Sequence, residues 1–336
     1  MDPTLDLLPE KIKIVMRGLS GLFAGLITTV FYLLKKSIGP QKGEIIFFPD
    51  ATWNISSPIF WRTLEQYKQI GVRIGFLFHD IIPIRYPRYC LVDFRVQFEK
   101  WFKIALRSAD FFIAVSDTVR KDVLDYAREN NLKTPPNDFN YSGVALDFSQ
   151  SSDNQNNLFG GTAYIFVSTI EPRKNHDYAI SAFEILWREK GFAGQLVIIG
   201  KVGWLCKNTL RRIVDHNEYN KKLLMYNKIT DNELLWAYKN SVGLVFTSHC
   251  EGFGLPIIEG LYFGRSVFVS DTPIHREVGQ DLVYYCDLSN PQSLADQIYK
   301  HSKSPRSSPR ATNRPQIYSW EKSCRDLIDK ILVLAK

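Results

Sequence analysis

Cysteine is scarce in this sequence, and its few copies are not arranged for disulfides or metal. The cysteines are odd in number, far apart and without a Cys-x-x-Cys pair; they are Cys90, Cys206, Cys250, Cys286 and Cys324. This pattern argues against a disulfide framework and predicts reduced thiols in a cytoplasmic protein. The histidines show no paired ligand spacing and no Asp-x-Asp occurs, so we expect no bound metal and no cofactor.

Clusters of one charge sign are also lacking. The chain of 336 residues carries a net charge of +7, yet its lysines and arginines are scattered and form no basic block. A basic balance suits anionic partners such as a nucleotide diphosphate or an anionic lipid surface. Without a basic block or a nucleic-acid motif, we expect no nucleic-acid partner. Apolar and charged fractions of 45% and 23% argue against wholesale disorder.

A clear membrane-spanning run is missing as well. Residues 18–34 are seventeen uncharged residues, but they include three glycines, a serine and two threonines. A spanning helix needs about 20 apolar residues, and no small-residue cleavage site follows. Three interpretations stay open: a buried helix of an N-terminal domain, a helix lying on the cytoplasmic membrane face, and a spanning segment. Flanking basic residues, Arg17 and Lys35-Lys36, suit the membrane-surface interpretation.

Short apolar runs alternate with longer amphipathic stretches along the rest of the chain. This alternation predicts an α/β protein with parallel sheets covered by helices. The predicted strands are residues 44–48, 72–78, 111–115, 142–146, 163–167, 195–199, 223–226, 242–246, 266–269 and 282–285. The predicted helices are residues 57–70, 94–108, 117–129, 177–189, 231–239 and 292–300, and Ser116 and Thr230 are candidate helix caps.

A polar segment, Ser149–Gly161, ends in two glycines and is typical of a linker between domains. It divides the chain into two parts of ordinary domain size. We therefore predict an N-terminal domain of residues 1–149, a linker of residues 150–161, a C-terminal domain of residues 162–310 and a final helix within residues 316–336.

The most informative segment runs from Glu251 to Glu259 and reads Glu-Gly-Phe-Gly-Leu-Pro-Ile-Ile-Glu. It follows a predicted buried strand and enters a helix at Pro256, since proline suits the first helical turn. Its two glycines allow a ligand to approach the backbone closely, and a helix N-terminus attracts anions. Carboxylates repel a phosphate, so the two glutamates are suited to the sugar and ribose hydroxyls beside it. The segment predicts a nucleotide-sugar site.

Cations are expected at the same edge of the sheet. Arg173 and Lys174 follow one predicted strand and Lys201 follows the next, so all three lie at carboxyl ends, where open α/β sheets bind ligands. A cation at this edge neutralises the negative charge that develops on a leaving diphosphate. In the N-terminal half, Asp50 and His79 also follow predicted strands, which makes them candidates for contacting the donor sugar or assisting the acceptor.

These features resemble the retaining GT-B glycosyltransferases of glycosyltransferase family 4. The Glu251–Glu259 segment resembles the two-glutamate signature of that family. Three further stretches agree in order and spacing: Ser168–Asn175 with the diphosphate-binding loop, Lys228–Leu234 with the nucleoside-side segment, and Arg276–Gly279 with the motif after a late strand. The resemblance implies two Rossmann-like domains facing a cleft, and metal-independent transfer of a hexose with retention of anomeric configuration. Because the first convincing strand begins at Glu44, we expect the N-terminal domain to be reduced or diverged.

The resemblance also implies roles for single residues. It assigns catalysis to Glu251, Lys174, His79 and Asp50. It assigns donor binding to Arg173, Lys174, Lys201, Thr230, Glu251, Gly252, Phe253, Gly254, Leu255 and Glu259, with Glu259 on the ribose and Thr230 at the base. Many members carry a further arginine where Ser168-Thr169 stand here, and Lys201 is the candidate replacement for that charge. Ordinary structural explanations compete with these roles, since Thr230 suits a helix cap and the charged residues suit solvated loops.

Three functions stay open from the sequence. The first is transfer of a hexose, with mannose and rhamnose favoured, from a nucleotide sugar to a glycan or lipid-linked glycan at the cytoplasmic membrane face. The second is a sugar-nucleotide epimerase of the same architecture, which needs further acid/base carboxylates. The third is a non-catalytic nucleotide-sugar-binding partner in glycan assembly. An assay distinguishes the three functions: the first predicts sugar transfer, the second predicts exchange between epimers, and the third predicts binding without turnover.

Overall fold

The computed structural model describes residues 39–144 apart from 51, 54 and 56, residues 157–303, and residues 319–336. The apolar segment 18–34 and most of the predicted linker lie outside the described residues. Contacts divide the chain into two compact units. The first contains the described residues up to Pro87, Val92–Tyr141 and Cys324–Lys336, and the second contains Arg88–Leu91 and Ser142–Ser323.

The first unit contains a four-stranded parallel sheet. Its strands are β1 (Ile45–Phe48), β2 (Arg73–Phe78), β3 (Phe111–Ala114) and β4 (Asn137–Phe139), in that spatial order. Its helices are α1 (Pro58–Gln69), α2 (Ile82–Arg85), α3 (Val92–Ser108) and α4 (Asp117–Glu129). The hydroxyl of Ser116 accepts a hydrogen bond from the Val119 amide at 3.1 Å, so the predicted cap of α4 is confirmed.

The second unit contains a six-stranded parallel sheet. Its strands are β5 (Ala163–Val167), β6 (Gln195–Ile199), β7 (Leu223–Tyr226), β8 (Gly243–Phe246), β9 (Ser266–Ser270) and β10 (Tyr284–Cys286). The spatial order is β7-β6-β5-β8-β9-β10, which is the order of doubly wound α/β sheets. The direction of winding reverses between β5 and β8, and such a reversal leaves a crevice at the carboxyl ends of the two strands.

The helices of the second unit are α5 (His176–Glu189), α6 (Lys207–Val214), α7 (Asp231–Asn240), α8 (Leu255–Tyr262), α9 (Pro273–Gly279) and α10 (Pro291–Lys303). Helices α6 and α9 are not indicated by the sequence pattern, because they have only eight and seven residues and show too few turns for a clear period. Within the described ranges, none of the helices is both long and apolar enough to cross a membrane.

The last helix, α11 (Trp320–Leu334), brings the C-terminus to the first unit. Ile331 is 2% exposed and packs in a cluster with residues of β1 and β3, namely Ile45, Phe47, Phe111 and Ile113. The chain thus contributes core residues to its first unit from both halves of the sequence.

Two strand assignments differ from the sequence pattern. Strand β4 is missed because Asn-Asp-Phe lacks the β-branched residues that mark a strand. The expected strand over residues 142–146 is wrong for its described part, where Val144 forms only an isolated bridge to Ser319. A Cβ on Gly143 would lie 2.5 Å from the Trp320 Cα, so the backbone here meets the start of α11 and not a neighbouring strand.

Candidate functional site

The candidate site lies where β5 and β8 end. Residues 168–175 connect β5 to α5 and include a short 3-10 helix, Pro172–Lys174. Residues 247–254 connect β8 to α8. The two loops are joined by the His249 amide, which donates to the Arg173 carbonyl at 2.7 Å, and by the Thr247 hydroxyl, which donates to the Asn175 carbonyl at 3.2 Å. They therefore meet at the reversal point of the sheet, where ligands of open α/β sheets bind.

An ion-pair network connects these loops. Oε1 of Glu251 lies 2.6 Å from Nζ of Lys174, and Oε2 of Glu251 lies 2.6 Å from Nη1 of Arg173. The side chains of Glu251 and Lys174 are only 8% and 10% exposed. Because desolvating each ion costs several kcal/mol, a buried pair is weak evidence for stability. Such a pair in a crevice is a candidate functional site.

The cations control the charge state of Glu251. Burial would raise the pKa of the Glu251 carboxyl, but the ammonium of Lys174 and the guanidinium of Arg173 outweigh burial and lower that pKa to about 2. Glu251 is therefore a carboxylate at neutral pH. Of the residues predicted from the sequence, the structure brings together Glu251, Lys174 and Arg173.

A second carboxyl, Glu171, joins the network and is missed by sequence reasoning. Its Oε1 lies 2.7 Å from Nε of Arg173, and its side chain is 1% exposed. Burial raises the pKa of Glu171, and the charges of Arg173 and Lys174 oppose this only in part. Its Oε2 is buried without a hydrogen-bond partner in the described part of the chain. The feature of the sequence that could have indicated Glu171 is its position directly before Pro172, in the loop that follows β5.

The N-terminus of α8 lies beside this network. Gly254 caps the helix at φ 99°, a left-handed conformation that favours glycine. Leu255 begins the helix with Pro256 in its first turn, as the sequence predicts, and Gly252 and Phe253 precede it half-buried. The positive end of the helix dipole therefore lies next to Glu251 and favours an anion there.

Glu259, on α8, contacts a different partner. Oε2 of Glu259 accepts a hydrogen bond from the Tyr238 hydroxyl at 2.5 Å. Burial raises the pKa of Glu259, whereas the hydrogen bond from Tyr238 lowers it. Tyr238 is 2% exposed and lies on α7, so this helix positions the Glu259 carboxyl through the Tyr238 hydroxyl.

Thr230 caps a helix, and Lys201 is exposed at the end of a strand. The Thr230 hydroxyl accepts from the Glu233 amide at 3.2 Å, and the Glu233 carboxylate accepts from the Thr230 amide at 2.8 Å. This capping box begins α7 and confirms the predicted cap. Lys201 is exposed, and its backbone carbonyl accepts from the Ile170 amide at 2.8 Å. Lys201 thus follows β6 at the same carboxyl edge as the network.

His79 and Asp50 belong to the first unit. The His79 ring lies with Nε2 2.9 Å from the carbonyl oxygen of Pro49, the residue before Asp50. Both side chains are exposed at the carboxyl ends of neighbouring strands β1 and β2. The structure therefore brings these two candidates to one edge of the first sheet.

Two buried histidines, His176 and His275, also lie close to the network. His176 stacks on Phe166 at 4.3 Å, and its Nε2 lies 3.2 Å from the Ser168 hydroxyl. Burial, with the charge of Lys174, lowers the pKa of His176 to about 3. Burial also lowers the pKa of His275. Both rings are therefore neutral at physiological pH.

A family model identifies the class of protein. The chain matches the model of glycosyl transferases, group 1, over residues 149–316, which is half of its length. The chain belongs to this family. The match includes the β5 and β8 loops, α8 and the whole ion-pair network.

Curated relatives narrow the comparison. The serotype-specific mannosyltransferase WbdA of Escherichia coli is 30% identical over 314 residues, covering 88% of this chain and 38% of the relative. The O-antigen chain mannosyltransferase RfbU of Salmonella typhimurium is 25% identical over 244 residues, covering 72% of this chain and 65% of the relative. The chain thus spans 38% of the length of the first of these relatives.

Solved structures support the fold. HepE of Anabaena, in complex with UDP and glucose, superposes with a TM-score of 0.66 at 13% identity, covering 93% of this chain and 83% of that one. Sucrose-phosphate synthase of Thermosynechococcus elongatus gives a TM-score of 0.64 at 18% identity, with 94% and 80% covered. The fold is α/β with parallel sheets and is that of GT-B glycosyltransferases, so the predicted fold class is confirmed.

Proposed function

We propose that this chain transfers a mannosyl residue from a nucleoside diphosphate sugar to a glycan or lipid-linked glycan. In this proposal it is a retaining, metal-independent enzyme of glycosyltransferase family 4. The observation that carries the proposal is the buried network of Glu251, Lys174 and Arg173 at the reversal point of the second sheet. The relatives named as mannosyltransferases support mannose, and the name O-antigen chain mannosyltransferase supports a polysaccharide acceptor.

Each charged group of the network has a task in this proposal. The departing diphosphate gains negative charge, and preorganised cations in a buried site stabilise that charge most effectively. Lys174 and Arg173 supply these cations, and the N-terminus of α8 adds a partial positive charge. Because Glu251 already occupies both cations, the diphosphate competes with Glu251 for them. The displaced carboxylate then binds hydroxyls of the donor sugar.

The reaction follows from this arrangement. The acceptor hydroxyl attacks the anomeric carbon on the face from which the diphosphate leaves. The bond from that carbon to the phosphate oxygen breaks, the glycosidic bond forms, and the departing phosphate oxygen takes the acceptor proton. This route needs neither a protein nucleophile nor the two catalytic carboxylates of glycosidases. Glu251 and Glu259 position the sugar and the ribose.

The remaining candidates complete the proposal. Lys201 adds a cation near the diphosphate, and Thr230 lies near the base at the start of α7. His79 and Asp50 contact the donor sugar or assist the acceptor, as the family resemblance implies. The enzyme works in the cytoplasm, and the net charge of +7 suits peripheral association with an anionic membrane face.

The test is a transfer reaction with GDP-mannose and α-linked mannotriose, followed by proton NMR of the new anomeric signal. An α-linked product from the α-configured donor supports retention, and a β-linked product contradicts it. Interconversion of the free nucleotide sugars would identify an epimerase. Binding of nucleotide sugar without transfer to any glycan would identify a non-catalytic partner.

A further inference from the structure

The loop between β6 and α6 exposes apolar side chains at the carboxyl edge of the second sheet. Val202, Trp204 and Leu205 are 47%, 40% and 55% exposed. Single exposed apolar residues are ordinary, whereas a group of them marks a surface that binds something. The neighbouring loop, residues 168–175, carries the cations of the candidate donor site. The apolar group therefore lies beside the place where transfer is proposed.

This loop is rigidly held. The Ile170 amide donates to the Lys201 carbonyl at 2.8 Å, and the Gly203 amide donates to the Ile170 carbonyl at 3.0 Å. A Cβ on Gly203 would lie 2.9 Å from the Ile170 carbonyl oxygen, so the two backbones are too close for any side chain. Leu205 has φ 53°, a left-handed conformation that a leucine keeps only when its surroundings enforce it. The exposed side chains are therefore presented from a fixed backbone.

The indole of Trp204 is also fixed. Its Nε1 donates to the carbonyl of Tyr89 at 2.8 Å. The ring of Tyr89 stacks on His249, with centroids 5.3 Å apart and planes 13° apart. The His249 amide donates to the carbonyl of Arg173 at 2.7 Å, and Arg173 pairs with Glu251. A continuous chain of contacts within the second unit thus connects the indole to the ion-pair network.

The hydrogen bond of Trp204 restricts what its ring can recognise. A tryptophan that anchors a protein in a membrane interface places its N–H among water and headgroups. Here the N–H is already satisfied by Tyr89, so Trp204 offers only its apolar face. An aromatic face is electron-rich and suits a flat array of C–H groups. A pyranose ring presents such a face, with its hydroxyls pointing outward at the edge.

We propose that Trp204 is a stacking platform for a sugar ring of the acceptor glycan. This inference rests on the proposed function, because it places the acceptor next to the donor diphosphate. Val202 and Leu205, on the same loop, add exposed apolar side chains to this surface. The occupant is a saccharide, and lipid binding is the alternative outcome of the test.

The test is calorimetric titration of α-mannotriose into the wild type, Trp204→Ala, Trp204→Phe and Trp320→Ala. Trp320→Ala is the matched control, because Trp320 is also an exposed tryptophan, 51% exposed at the start of α11, and lies far from Trp204 in the sequence. We expect Trp204→Ala to weaken mannotriose binding about tenfold, because stacking on a central aromatic anchor is lost. Trp204→Phe should retain binding within about threefold because a ring face remains. Trp320→Ala should bind like the wild type.

Two controls separate this inference from the proposed function. GDP-mannose is titrated into the same proteins, and its affinity should be equal in all of them. If the wild type does not bind GDP-mannose, the proposed function fails, while the mannotriose comparison still decides the role of Trp204. Equal mannotriose affinity in wild type and Trp204→Ala, or no binding to either, would overturn the platform. The platform would also be overturned if the wild type bound phosphatidylglycerol vesicles, Trp204→Ala did not, and mannotriose failed to compete with the vesicles.

Discussion

The carboxylate of Glu251 contacts the ammonium of Lys174 at 2.6 Å across a separation of 77 residues in the sequence. With Arg173 and Glu171 it forms a buried set of two cations and two carboxyls. The formal charges of these four side chains cancel when both carboxyls are ionised. Under the proposed function, a diphosphate that binds here replaces a carboxylate as the partner of the two cations.

Replacing Glu251 with glutamine tests this exchange. The amide keeps the shape but removes the competing charge, so we expect Glu251→Gln to bind GDP at least as tightly as the wild type. Transfer should fall by roughly 100-fold or more, because the positioned carboxylate is lost. Unfolding free energy should fall by about 3 kcal/mol, since two buried cations lose a partner.

Calorimetry with GDP, transfer rates and denaturant melts measure the three effects. Glu189→Gln, at an exposed position at the end of α5, is the matched control and should change none of them. Weaker GDP binding combined with normal transfer would contradict the exchange.

Tyr238→Phe should make nucleotide binding sensitive to pH. The hydroxyl of Tyr238 lowers the pKa of Glu259, whereas burial raises it. Without the hydroxyl the pKa of Glu259 rises further, and the carboxyl becomes neutral over a wider pH range. A neutral carboxyl accepts hydrogen bonds from ribose less well, so GDP affinity should fall as the pH is lowered from 8 to 6, and it should fall more in Tyr238→Phe than in the wild type. Titrations at both pH values, with Tyr262→Phe as an exposed control on α8, check this. A pH-independent loss would refute the linkage.

His176 should make the folded protein sensitive to mild acid. Its pKa is lowered to about 3 in the native state from an ordinary value of 6.5, so the unfolded chain binds the extra proton first as the pH falls. Stability is therefore complete above pH 6.5 and is lost by about 1 kcal/mol per pH unit below it, down to the native pKa. His275, whose pKa is also lowered, adds to the slope.

Urea melts of wild type and His176→Gln between pH 7 and pH 5 measure this slope. The variant should lose stability less steeply, because one of the two buried imidazoles is gone. Equal slopes in both proteins would show that His176 is not responsible.

Ile331→Ala tests how much the packing of α11 stabilises the first unit. Ile331 is 2% exposed in the cluster with β1 and β3, so truncation should cost about 2–4 kcal/mol of unfolding free energy. Leu332→Ala, at the neighbouring position that is 36% exposed, should cost much less. Equal losses in denaturant melts would contradict the packing of α11 on the first sheet.

Periodicity predicts most of this fold because the second sheet is built from continuous apolar strands. The strands from Ala163 to Phe246 and the helices α4, α5 and α7 agree with the sequence pattern within one residue at each end. Strand β4 and helices α6 and α9 escape prediction, because short polar elements are defined by their neighbours and not by their own period.

The site was less accessible from sequence than the fold. The Glu251–Glu259 segment and the loop with Lys174, both indicated by the sequence, are the segments that contribute the ion-pair network. The partners of the two glutamates do not follow from spacing, because tertiary packing brings Lys174 to Glu251 and Tyr238 to Glu259. The pairing of Glu251 with Arg173 and Lys174 requires that β5 and β8 lie side by side, and this adjacency does not follow from the sequence pattern.

The most direct measurement is a thermal-shift panel of nucleotide sugars on wild type, Lys174→Ala and Glu259→Ala. A ligand that binds only the native state raises the melting temperature. We expect one nucleoside diphosphate hexose to stabilise the wild type, and each variant to lose most of this shift. If both variants respond to that sugar as the wild type does, the nucleotide-sugar site does not lie at the β5 and β8 loops.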